Sequence, residues 1–75
     1  MANTDLDCRG LACPMPIVRI SRAFKELATG DTLTVRASDP SFRADAEAWA
    51  RRMGQALESL IDRDGEQTAL FRKTQ

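Results

Sequence analysis

Pro14 and Pro16 stand one residue apart at the head of a stretch that otherwise reads as a helix. Proline lacks a backbone N–H and its ring collides with the preceding turn, so within a helix this spacing would break the structure twice. At a helix start it does no such damage, because the first N–H groups have no intrahelical acceptor. The segment Cys13-Pro14-Met15-Pro16 therefore marks a beginning, with Cys13 expected as N-cap, Pro14 at N1 and Pro16 at N3. The predicted helix runs from Pro14 to Ala28: Ile17, Ile20, Phe24 and Leu27 recur at i, i+3, i+7 and i+10, and Arg19, Arg22, Lys25 and Glu26 take the other side.

Ahead of it, Thr4 to Cys8 reads as a short strand, and Arg9 to Ala12, with Gly10, as a tight connection. After the Gly30-Asp31 stop, Leu33, Val35 and Ala37 alternate with Thr32, Thr34 and Arg36, the period of a strand with one buried face. Asp39-Pro40 opens a second helix, with Asp39 or Ser41 as N-cap and Pro40 in the first turn. Phe42, Ala46, Trp49 and Met53 form its stripe and Gly54 its stop, while Asp45 and Glu47 fall off the stripe as a solvated face. Two strands, Ala56 to Asp62 and Gln67 to Arg72, flank the hairpin signal Asp64-Gly65. The order is β-α-β-α-β-β. One apolar stripe per helix predicts an α/β (α+β) two-layer sandwich, both helices on one face of a four-stranded mixed sheet, with residues 1–75 as a single domain.

Composition narrows the function. Eleven basic and eleven acidic residues cancel, so total charge indicates neither nucleic acid nor an anionic membrane as partner. No apolar run approaches the ~20 residues of a membrane span, and with only two cysteines a disulfide framework is not expected; the reading is a cytoplasmic monomer with reduced thiols. There is no histidine, so no Cys/His or Ser/His pair can form, and two thiols alone do not close a zinc site: no metal and no bound cofactor are expected.

The chemistry then falls to Cys13. A thiol facing the positive end of a helix is expected to be moderately more acidic than its ordinary value, with Arg9 the nearest additional positive charge. Cys8, ending a strand, reads as buried and inert. Trp49 and Phe42 read as core, and Arg19, Arg22 and Lys25 as solvated charges or a docking surface, Arg19 being nearest the thiol.

The run Leu6-Asp7-Cys8-Arg9-Gly10-Leu11-Ala12-Cys13-Pro14-Met15-Pro16 resembles the signature of the TusA/SirA sulfur-carrier family, a Leu-Asp, a Gly and a Cys-Pro-x-Pro in this order. Gly30-Asp31, Asp39-Pro40, Trp49 with Gly54, and Arg72-Lys73 extend the similarity over nearly the whole chain; Gln55, where many members carry His, departs from it. The resemblance implies that Cys13 bears sulfur as a covalent persulfide, taken from a donor protein such as a cysteine desulfurase or a rhodanese-like protein and passed to an acceptor protein, with the turn built by Gly10, Pro14 and Pro16. Two other readings remain open: a dithiol redox protein in which Cys8 resolves Cys13, and a non-catalytic regulatory module on the same fold.

Overall fold

The computed structural model of the chain describes residues 2–75. Strand β1 (Asn3–Cys8), helix α1 (Met15–Lys25), strand β2 (Thr32–Ala37), helix α2 (Phe42–Met53), and strands β3 (Ala56–Arg63) and β4 (Glu66–Arg72) follow in the expected order. The sheet runs β1-β2-β4-β3, with β1 and β2 parallel and the other two pairings antiparallel. A parallel pair needs a crossover, and α1 provides it. β3 and β4 need only a tight turn, which Asp64 and Gly65 make with φ of +54° and +81°, the positive pair that a two-residue hairpin favours.

Strand alternation sorts the sheet into rows. Thr4, Leu33, Phe71 and Leu57 lie abreast, then Leu6, Val35, Ala69 and Leu60, then Cys8, Ala37, Gln67 and Asp62. These rows face the helices: Leu33, Val35, Ala37, Ala69 and Phe71 are buried in one core with Ile20, Phe24 and Leu27 and with Phe42, Ala46, Trp49 and Ala50. Both helices thus cover the same side, and the other side presents Asp5, Asp7, Thr34, Arg36, Thr68 and Ile61, which is 57% exposed. At the centre of the core Phe24, Trp49 and Phe71 meet edge to face, with ring centroids 4.9, 5.6 and 6.1 Å apart. The Trp49 indole N–H donates to Ser21 Oγ at 2.9 Å, so its polar edge is satisfied.

Element ends differ from expectation, and α1 stops at Lys25 rather than Ala28. Helix α1 starts one residue later than the proline spacing suggested, with Pro14 rather than Cys13 at the N-cap and Pro16 inside the first turn. Pro16 is buried and continues the stripe Pro16, Ile20, Phe24, so its ring serves the core at a position with no N–H to lose. Helix α2 begins at Phe42 with Ser41 as N-cap, which leaves Pro40 outside the first turn. Met53, expected in the stripe, is 50% exposed; Ala50 is buried instead, since the buried positions follow i, i+4, i+7 and i+8, and Gly54 then ends the helix at φ +70°. Lys73 reaches back from beyond β4 and its Nζ donates to the carbonyls of Phe24 and Leu27, 2.8 Å each, satisfying oxygens at the end of α1.

Since Phe71 is fully buried against both other rings, Phe71→Ala is expected to remove about 3–5 kcal/mol from a total stability of about 4–11 kcal/mol for a chain of this length. Urea unfolding followed by circular dichroism measures this, and Phe71→Leu should recover most of the loss.

Candidate functional site

The parallel strands β1 and β2 end side by side, at the pair Cys8 and Ala37, so the loops that follow them emerge together. The first loop turns sharply at Gly10, whose φ of +82° is the left-handed conformation that favours glycine. Three bonds then set its course. Gly10 N–H donates to Ser38 Oγ (2.9 Å), Leu11 N–H to the Cys8 carbonyl (3.2 Å), and Cys13 N–H to Asp39 Oδ2 (2.8 Å). The reactive-site loop is thereby tied at two points to the loop after β2.

Asp39 is itself held from several sides. Its Oδ2 also accepts from the Ser41 hydroxyl (3.0 Å) and its Oδ1 from Ser41 N–H (3.2 Å). Its carbonyl accepts from Phe42 N–H (3.0 Å) and from Nε2 of Gln67 (2.8 Å), a side chain that is 3% exposed. The bonds from Ser41, and then that from Cys13, keep the Asp39 carboxyl below the usual carboxylate range against a smaller opposing effect of desolvation.

Cys13 is exposed and Cys8 is completely buried; both are unpaired thiols. The Cys13-Pro14 peptide bond is cis. Cys13 borders a shallow open groove of about 260 Å³ lined also by Pro14, Ile17, Asp45, Ala48 and Arg52, so it lies between the first turns of α1 and one side of α2. The Sγ of Cys13 and one carboxylate oxygen each from Asp39 and Asp45 all fall within 4.8 Å of one another. With three donor contacts already on the Asp39 carboxylate counting its two oxygens together, this is a hydrogen-bonded acidic cradle around the thiol.

The electrostatics run opposite to the expectation of an acidified thiol. Hydrogen bonding to the Asp45 carboxylate is the main influence pushing the Cys13 thiol above its ordinary value, followed by desolvation and the charges of Asp45 and Asp39; the Ser41 hydroxyl pulls weakly the other way. Cys13 sits outside the helix rather than capping it, and two carboxylates outweigh the helix end. Neither Arg9 nor Arg19 is among the main influences on Cys13. Arg9 is bound to Asp7 (Nε to Oδ1 2.9 Å, Nη2 to Oδ2 3.0 Å) and reaches Glu66 at 3.4 Å. Arg19 is exposed, and its charge acts on Cys8, whose thiol burial pushes up. Gly10 turns the chain ahead of Cys13, Pro14 is the N-cap of α1, and Pro16 lies in the first turn of the helix with its side chain buried.

Asp45, which by its helical position falls on a solvated face, and the acceptor role of Asp39, whose sequence signal is only that of a helix start, emerge from the structure alone. The pairing of two strand ends could have pointed to Asp39, since it follows the strand that lies beside the cysteine-bearing one. No local signal marks Asp45.

Two measurements follow from these charges. Alkylation of Cys13 by iodoacetamide should show a pH midpoint above the ~8.5 of an ordinary thiol, with Cys8 unlabelled until the protein unfolds. The Asp7 carboxyl, held to about 2 chiefly by its side-chain bond from Arg9, and those of Asp31 and Asp39 are all lowered in the folded state. A lowered folded pKa contributes stability above the unfolded value of ~3.9 that is lost as pH falls through the folded one. The urea midpoint should therefore be level between about pH 5 and 7 and fall below about pH 4, and Asp39→Asn should lower the plateau and flatten the fall.

Comparison with known proteins places the chain in a family. Residues 4–73 match the family model described as sulfurtransferase TusA. The sulfur carrier protein TusA of Allochromatium vinosum is 33% identical over 72 residues, covering 96% of this chain and 95% of that one. The Bacillus subtilis protein YrkF is 49% identical over 53 residues, which cover 71% of this chain but only 29% of YrkF. Among solved structures, a SirA-like protein from Desulfitobacterium hafniense superposes with a TM-score of 0.78 at 26% identity, covering 100% of both chains. With the family model matched over residues 4–73, a relative matched over nearly its full length and the fold in agreement, the chain belongs to the TusA family.

Proposed function

We propose that this chain is a sulfur carrier in which Cys13 holds the sulfur as a persulfide and passes it between a donor protein and an acceptor protein. The observation that carries the reading is one exposed thiol on an open groove, the other thiol of the chain being wholly enclosed. A groove of about 260 Å³ with no roof does not surround a small substrate, so the reacting group arrives on another protein's surface. A cysteine desulfurase or rhodanese-like donor fits that requirement, and the transfer needs no resident cofactor.

The step is a thiol–persulfide exchange. The Cys13 sulfur attacks the outer sulfur of a donor persulfide R–S–SH, the new S–S bond forms as the donor's breaks, and the donor sulfur leaves with the electron pair. Written with protons, Cys13–SH and R–S–SH become Cys13–S–SH and R–SH, with no net oxidation. The second half repeats this toward the acceptor. Burial of Cys8 weighs against the dithiol reading, since a resolving thiol must reach the sulfur it attacks.

The test is intact-mass analysis without reductant after exposure to polysulfide, or to a cysteine desulfurase with cysteine, followed by peptide mapping. The expected result is a reducible gain of one sulfur atom on Cys13, lost in Cys13→Ser and retained in Cys8→Ala. An intramolecular Cys8–Cys13 disulfide, or no added sulfur from either source, would overturn the reading.

A further inference from the structure

Asp45 stands at the thiol without a counter-charge. Apart from the Cys13 thiol, its carboxylate is met only by the weak contact from the Ser41 hydroxyl at 3.4 Å, and among the described residues no ion pair closes on it. Asp39, beside it, has both oxygens occupied by Cys13 N–H and Ser41. Most of the remaining accepting capacity of the cradle therefore belongs to Asp45, with Cys13 Sγ within 4.8 Å. From α1 the groove receives only Pro14 and Ile17; from α2 its other charged residue is Arg52, seven positions on and so about 10 Å further along the helix. Arg9 is committed to Asp7 and Glu66.

We propose that Asp45 is a positioning residue for sulfur transfer, which keeps the proton on the Cys13 thiol until a partner sets a lysine, arginine or protonated histidine side chain against the Asp39 and Asp45 carboxylates. The inference rests on the carrier reading above and adds the chemistry of the partner's contact surface. Free in solution, the thiol is exposed yet disfavoured as an anion by two negative neighbours, which limits reaction with stray oxidants and electrophiles. A cation brought against the carboxylates removes that obstacle: the thiol loses its proton, the sulfur attacks the donor's outer sulfur, and the departing donor thiolate takes up a proton. The same field acts on the loaded group, because a persulfide anion at Cys13 meets the same two carboxylates.

Asp45 also lies in the first turn of α2, where a carboxylate favours the helix, so a stability change alone would not distinguish the two roles. The thiol's own titration does. Iodoacetamide alkylation of Cys13 is followed from pH 6 to 10 in the wild type, Asp45→Asn and Asp45→Glu, with folding checked by circular dichroism. Asp45→Asn should move the midpoint down; each unit raises the thiolate fraction about tenfold near neutrality, and the lower basicity of the sulfur returns about a factor of three, so the net gain at pH 7 is about threefold per unit. Asp45→Glu should stay near the wild type. An unchanged midpoint in Asp45→Asn overturns the proposal.

The partner's chemistry is probed with small disulfides of opposite charge, cystamine and dithiodiglycolate, reacting with Cys13. The wild type should favour the cationic reagent severalfold at low salt, and the preference should shrink in Asp45→Asn and at 1 M salt, where screening acts over about 3 Å. Equal rates in the wild type would overturn the proposal. Sulfur loading from polysulfide is read separately by mass, so an unchanged titration with normal loading removes only the role of Asp45, whereas absent loading removes the carrier reading.

Discussion

The reactive end of the molecule hangs from the Asp39 carboxylate. It accepts from the Cys13 N–H in the loop after β1 and from Ser41 at the start of α2, while the backbone carbonyl of the same residue is gripped by buried Gln67 from β4. Three parts of the chain distant in sequence are thus registered on one residue. The carboxylate must be ionised to accept all these donors, which is why the bonds that build the turn also keep its proton off. Placing Cys13 and holding a negative charge beside it are consequences of a single arrangement.

That arrangement explains why a cysteine next to a helix start is not acidified. A helix end supplies partial charges on a few N–H groups, and Pro14 and Pro16 bring none of their own. Against these stand two full carboxylate charges within 4.8 Å of the sulfur. The comparison of magnitudes settles the direction, and the helix's contribution is mostly positional: it points the loop outward and lends Ile17 to the groove.

Much of the fold was legible in the sequence because it depends on local periodicity. The alternation of Leu33, Val35 and Ala37, the stripe of Ile20, Phe24 and Leu27, and the Asp64-Gly65 turn each follow from rules that span only a few residues. Errors gathered at element ends, as with the N-cap at Pro14 and the exposed Met53, since a one-residue shift changes little in the pattern but much in what an end touches. The thiol and its prolines were legible as well. Asp45 was not, because its meeting with Cys13 depends on how α2 lies across the sheet relative to α1, a long-range fact that no local spacing encodes. Arg9 illustrates the converse: sequence nearness to Cys13 suggested a role, but Asp7 and Glu66 take its guanidinium.

The enclosure of Cys8 sets the arithmetic of the molecule. With that sulfur sealed among Ile20, Ala37 and the rest of the core, each chain offers a single reactive atom to its surroundings. Under the proposed carrier role a molecule is then either occupied or vacant, with no second exposed thiol in which a unit of sulfur could wait. Throughput in a relay built on such a part scales with the number of copies and with how long each stays docked, and the occupied fraction at any moment is a direct record of the balance between supply and demand.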